Sequence, residues 1–146
     1  MKFTKSEKSW MMYDFANSSY ATIMLAAIFP IYFTQVCAQS GLSGDFYWSI
    51  GTSSATLIAA FLAPIIGAAA DYRGWKKKIF VCFLTLGVGM SLLCAFFDRW
   101  QLMMAGYILS YIGFLGSCLV NDSFLTDVTE AGRMDRVSSW AYALGY

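Results

Sequence analysis

The 146-residue chain contains no histidine. That removes the commonest transition-metal ligand and the usual acid–base group at neutral pH. Charged residues make up 13% of the chain, where a soluble domain carries roughly 25%. Beside 58% hydrophobic residues, so few charges cannot cover a globular surface. The excess apolar side chains have to face lipid. There is no acidic or basic tail and no nucleic-acid footprint. The net charge of +1 says little, because in a membrane protein the distribution of charge matters and the sum does not. Cys37, Cys82, Cys94 and Cys118 show no CxxC spacing. In apolar runs cysteine behaves as a small hydrophobe, so neither a disulfide nor a metal site is expected.

What the chain does have is apolar length. Four runs cover residues 13–36, 46–70, 79–97 and 101–120, and a fifth begins near 138. At 1.5 Å per residue each is about long enough to cross the roughly 30 Å hydrocarbon layer. Shorter alternating segments would mark an outer-membrane barrel, and they are absent from this pattern. A cleaved signal peptide is the rival reading of the first run, since Val36-Cys37-Ala38 loosely resembles a cleavage site. The run is too long for that, and Asp14 and Asn17 interrupt its start. Pro64 is expected to kink the second helix.

Two stripes of small residues run along these helices. Ala55, Ala59, Ala63, Gly67 and Asp71 recur every four positions, and Gly106, Ser110, Gly113, Ser117 and Asn121 follow a similar spacing. Such stripes let a neighbouring backbone approach closely, so they read first as packing faces. Lysine and arginine fall on alternate sides. Lys2, Lys5, Lys8, Arg73, Lys76, Lys77, Lys78, Arg133 and Arg136 lie on one side and only Arg99 on the other. This positive-inside bias places the N-terminus in the cytoplasm.

The stretch Gly67-x-x-x-Asp71-Tyr72-Arg73-Gly74-Trp75-Lys76-Lys77 resembles the loop between helices 2 and 3 of the major facilitator superfamily. Its residues make physical sense there. Gly67 permits close helix contact, and Asp71 can receive the positive end of another helix. Gly74 allows a tight turn, and the lysines sit among anionic headgroups. Tyr72 and Trp75 depart from the family's basic positions. The resemblance implies a conformational-latch role for Gly67, Asp71, Arg73, Gly74, Lys76 and Lys77. A second stretch, Trp10-x-x-Tyr13-Asp14-Phe15-Ala16-Asn17-Ser18-x-Tyr20 through Phe29-Pro30-x-Tyr32-Phe33, is similar to the first helix of the branch related to vacuolar amino-acid effluxers. Asn121 to Asp127, Arg136-Val137-Ser138-Ser139 and Ala143-Leu144-Gly145-Tyr146 resemble its helix 4–5 junction. The family protein usually has twelve helices, so the resemblance covers about its first third.

Asp14 and Asn17 are one helical turn apart and can share a face. An ionisable group in the bilayer is costly and is usually turned inward for function. The resemblance puts helices 1 and 4 along a central cavity. That makes Asp14, Asn17, Tyr20, Asn121 and Asp122 candidates for substrate or proton contact. Asp14 reads equally well as a helix-start residue bonding backbone amides, and Asn121 and Asp122 as helix-end residues. Asp122, Asp127 and Glu130 without histidine make a poor metal site. Trp10, Tyr13, Trp48, Trp75 and Trp100 lie near segment ends, where an interfacial belt explains them.

The expected protein is therefore an all-α polytopic membrane protein with four spans and the start of a fifth, a partial major facilitator fold in the plasma or inner membrane. The expected function is the N-terminal part of a transporter that moves a small solute, an amino acid by resemblance, through alternating access. Its partners would be the lipid bilayer, the solute, and either the missing C-terminal helices or further copies of itself. No cofactor is called for. The alternative is a non-transporting membrane scaffold or fragment whose stripes only dock other helices. An intramembrane enzyme is disfavoured, since no nucleophile–base pair or phosphate-cradling loop is legible. A tag on the first residue should be protected from protease added outside intact cells and exposed in inverted membranes. Cleavage from outside would reverse the orientation.

Overall fold

The structure, a computed structural model, describes residues 3–72 and 74–145. It is helical, with no strand among the described residues. In chain order come α1 (Lys5–Tyr20), a π-helical stretch (Ala21–Ala26), α2 (Ile28–Gln39), α3 (Gly44–Ala70), α4 (Lys76–Cys94) and α5 (Trp100–Ser123). A short α6 (Leu125–Val128), a 3₁₀ turn (Ala131–Arg133) and α7 (Met134–Gly145) complete it. Among the described residues four helical stretches are long and apolar enough to cross a membrane: Lys5–Gln39, Gly44–Ala70, Lys76–Cys94 and Trp100–Val128. Their outer faces carry large apolar side chains such as Phe61, Ile65, Val88 and Leu92, more than half exposed to the surroundings. Lipid is the medium in which that exposure costs nothing.

Local chemistry explains the interruptions. Pro30 has no N–H to give the Ala26 carbonyl, and its ring crowds that carbonyl. Ahead of it, Ser18 Oγ bonds the Asp14 carbonyl at 3.2 Å and Thr22 Oγ1 bonds the Ser18 carbonyl at 3.0 Å. Such back-bonding loosens a helix. The chain answers with a wider turn, in which Ala27 N–H reaches the Thr22 carbonyl at 3.0 Å, and Ala27 itself leaves helical geometry (φ −127°, ψ −68°). In contrast, α3 runs on through Pro64. Gly74 takes φ +83° between α3 and α4, a left-handed conformation open to glycine at little cost. Lys76, Lys77 and Lys78 already belong to the first turn of α4.

The chain divides into two compact units, Phe29–Val120 and a second formed by Met1–Ile28 with Asn121–Tyr146. In the unit Phe29–Val120 the core is aromatic at one end. Phe29, Phe33, Trp48 and Tyr107 interlock, with ring centroids 4.4 Å apart for Trp48–Tyr107 and 5.6 Å for Phe29–Tyr107. Phe33 and Tyr107 are fully buried. Further along, α4 and α5 cross backbone to backbone. A side chain at Gly113 would collide with Gly87, and one at Gly87 would press on the Phe114 nitrogen at 3.2 Å. Ser110 Oγ donates to the Gly87 carbonyl at 2.9 Å and meets Ser91 Oγ at 2.7 Å. So the second small-residue stripe is a packing face, and its hydroxyls supply the ties that hydrocarbon cannot weaken by competition.

On the first stripe Ala55 is fully buried. Ala59 and Ala63 line an apolar groove of about 270 Å³ with Ile66, Ile112, Leu115 and Gly116. Nothing lies within 4 Å of where a Gly67 side chain would begin. Gly113→Val should therefore lower the thermal midpoint in detergent, at a cost of about 1–3 kcal/mol or more as expected for overpacking. Gly67→Ala should leave it unchanged or raise it slightly. Equal effects would refute the close crossing.

Candidate functional site

In the unit that joins Met1–Ile28 to Asn121–Tyr146, the first turns of α1 carry the organising contacts. Thr4-x-x-Glu7 is a capping box. Thr4 Oγ1 accepts from the Glu7 N–H at 3.2 Å, and the Glu7 carboxylate accepts from the Thr4 N–H at 2.8 Å. The same carboxylate, 1% exposed, accepts from Thr129 Oγ1 at 2.7 Å and from Arg133 Nη2 at 3.2 Å. One turn on, Trp10 is buried, and its Nε1–H donates to the Asn121 carbonyl at 2.8 Å. Trp10 and Met11 pack against Val137 and Ala141 of α7, and Phe3 meets Trp140 edge-on at 6.1 Å.

Glu7, Trp10, Met11 and Asp14 follow the i, i+3, i+4, i+7 spacing of one helix face. The face ends in a cavity of about 140 Å³ lined by Trp10, Asp14, Asp122, Leu125, Ser138 and Tyr142. Its lining combines two carboxylates, a hydroxyl, a phenol and an indole. Such a lining can accept hydrogen bonds from a cationic or protonated group and can hold or release a proton. Among the described residues no trio of cysteine, aspartate or glutamate side chains converges on one point.

Of the residues singled out from sequence, Asp14 and Asp122 share this cavity. Asn121 is buried beside it, and its carbonyl receives both Trp10 Nε1 and the Phe124 N–H. Asn17 and Tyr20 are half-buried farther along α1 and do not line it. In the α3–α4 connection Asp71 caps the end of α3 and is exposed, as are Gly74 and Lys77, while Lys76 is half-buried. Arg73 lies outside the described residues. Trp10 is a buried hydrogen-bonded strut where an interfacial position was expected, and Trp48 joins the aromatic core. Glu7 and Thr129 carry no part of the sequence reading, and Arg133 enters it only as one of the basic residues. The Thr4-x-x-Glu7 capping-box spacing is a signal that singles out Glu7, but no local pattern joins it to residues 122 and 126 positions away.

Helices of this length and apolarity, with a basic turn after the second span, define a multi-pass helical membrane protein with a partial major facilitator fold. Residues 47–139 match the family model described as vacuole effluxer Atg22 like, and the chain belongs to that family. It is 41% identical over 150 residues to an uncharacterized MFS-type transporter, YxiO, of Bacillus subtilis (strain 168). The alignment takes in 99% of this chain and 35% of the relative, so the chain spans about a third of that protein's length. No solved structure matches it.

The strut can be tested directly. Trp10→Phe removes one hydrogen bond and keeps most of the packing, and should cost about 0.5–1.5 kcal/mol. Trp10→Ala should cost about 3–5 kcal/mol by opening a cavity. Thermal or denaturant unfolding in detergent reads both, and a neutral Trp10→Ala would contradict the buried indole.

Proposed function

We propose that these helices are the N-terminal part of a secondary carrier that moves a small solute, an amino acid, by alternating access, with the N-terminus in the cytoplasm. Family membership supports the transporter class. The words "vacuole effluxer" in the family's description loosely support a small metabolite such as an amino acid as the solute. The distribution of lysine and arginine supports the orientation. In such carriers the site lies between bundles of helices near the middle of the bilayer, and one repeat rocks against another around it.

The single observation that carries the mechanism is the shared cavity of Asp14 and Asp122. Two carboxylates lining one small cavity act on each other, so a cation or a proton at one changes the other. In this reading Asp14 takes up and releases the coupling proton, and Asp122 sets its field. Asn17 and Tyr20 extend the polar face of α1 toward the solute, and Asn121 holds the α5 end of the cavity. The Gly67–Lys77 connection acts as a conformational latch, with Asp71 as its acceptor.

The test is a chimera carrying residues 1–146 in place of the matching third of the Bacillus subtilis relative, reconstituted in vesicles with labelled amino acids. Asp14→Asn should cut uptake driven by a pH gradient by roughly tenfold or more while gradient-free exchange survives, as expected when a membrane carboxylate can no longer carry a proton. Full gradient-driven uptake by Asp14→Asn would remove Asp14 from coupling. Vesicles holding residues 1–146 alone should show no uptake above empty ones, and uptake by them that Asp14→Asn abolishes would make the carrier a homo-oligomer.

A further inference from the structure

The apolar contact between α1 and α7 is smooth. On the α7 side it presents Val137, Ala141 and Gly145, and on the α1 side Trp10, Met11 and Ser18. Contacts of this kind are non-directional and set the register only through the fit of shapes. Sliding by one turn would carry Ser138 and Tyr142 past Asp14 and change what lines the cavity. Something directional must hold the register. Two directional ties act on α1 from the stretch that leads into α7: Glu7 holds Thr129 and Arg133, the latter one residue before α7 begins, and Trp10 bonds the Asn121 carbonyl near the end of α5.

Glu7 is the stronger of the two. Its carboxylate takes three donors from three places, the Thr4 backbone, the Thr129 hydroxyl and the Arg133 guanidinium. It is almost completely buried while Arg133 keeps 29% of its side chain exposed. A buried carboxylate without these donors would be costly, so only the register that presents Thr129 and Arg133 to Glu7 is tolerated. Buried polar groups of this kind act through specificity of arrangement more than through net stability.

We propose that Glu7 is a positioning residue that fixes the register of α7 on α1, and so sets which groups face Asp14 in the carboxylate cavity. The link to the cavity rests on the coupling role given to Asp14 above; the register itself does not.

The experiment reads geometry and needs no solute. A side chain at Gly145 would begin 2.9 Å from Ser18 Oγ, so the pair Ser18→Cys with Gly145→Cys should form a disulfide rapidly in membranes treated with copper-phenanthroline. Mass spectrometry identifies the joined peptides. A control pair, Ser91→Cys with Ser110→Cys, stands where the two hydroxyls are 2.7 Å apart in the other unit. Glu7→Ala should slow the 18–145 bond by about tenfold, the scale of coupling within one hydrogen-bonded network. Thr129→Val should slow it less. Arg133→Lys, which keeps the positive partner, should retain the parent rate within about twofold where Arg133→Met does not, because a charge-assisted bond survives the exchange in weakened form. The control pair should be unaffected throughout.

An unchanged 18–145 rate in Glu7→Ala overturns the proposal. So does loss of both pairs together, since Glu7 would then serve folding at large and not register. Equal loss in Arg133→Lys and Arg133→Met would overturn the charged clasp. Failure of Asp14 to couple protons leaves every one of these rates where it was, so the two ideas fail separately.

Discussion

Within hydrocarbon no water is at hand to complete a backbone hydrogen bond, so each N–H and C=O of a crossing segment must be satisfied by the segment itself. The helical architecture follows from that constraint, and so do its exceptions. Where Pro30 withdraws a donor, the chain responds with a wider turn over Ala21–Ala26 and not with an open loop. Ser18 and Thr22 bend their hydroxyls back to carbonyls one turn earlier. Transporter helices that break in this way expose backbone polarity only where protein or a cavity can receive it.

The same medium removes the usual force between helices. A leucine gains little by leaving lipid for another leucine, so association depends on close fit and on polar ties. Both appear here. In the unit Phe29–Val120, Gly87 and Gly113 let two backbones touch, and Ser91 and Ser110 lock the crossing. In the other unit, Glu7 and Trp10 tie α1 to the segment that leads into α7. Apolar area gives each unit bulk, and a handful of hydrogen bonds gives it a defined arrangement.

A carboxylate kept at membrane depth is expensive, and Asp14 shares its small cavity with a second carboxylate, Asp122. The family to which the chain belongs is described by efflux. A pair of acids on one cavity is a simple device for making binding of a cation or proton at one site felt at another. The cavity is small, its walls mix apolar and polar groups, and its geometry depends on how two helices are set against each other.

Much of this was legible before any coordinates. Composition alone required a membrane, run lengths required helices, and the Gly67–Lys77 stretch together with the Asp14 and Asn121–Asp122 segments pointed to the family. Those signals are local: each depends on period, composition or spacing within some twenty residues. The site was legible only in part. Asp14 and Asp122 do converge, but Asn17 and Tyr20, chosen because they neighbour Asp14 in sequence, fall outside the cavity. Trp10 looked interfacial because tryptophan near a helix end usually is, and tertiary packing overrode that preference. Sequence by itself determined that the chain crosses lipid as helices and carries acids near their ends. Only the tertiary structure decided which acids meet and that Thr129 and Arg133 both donate to Glu7. A hydrogen bond between residues more than a hundred positions apart leaves no period in the chain and exists only once one helix has come to rest on another.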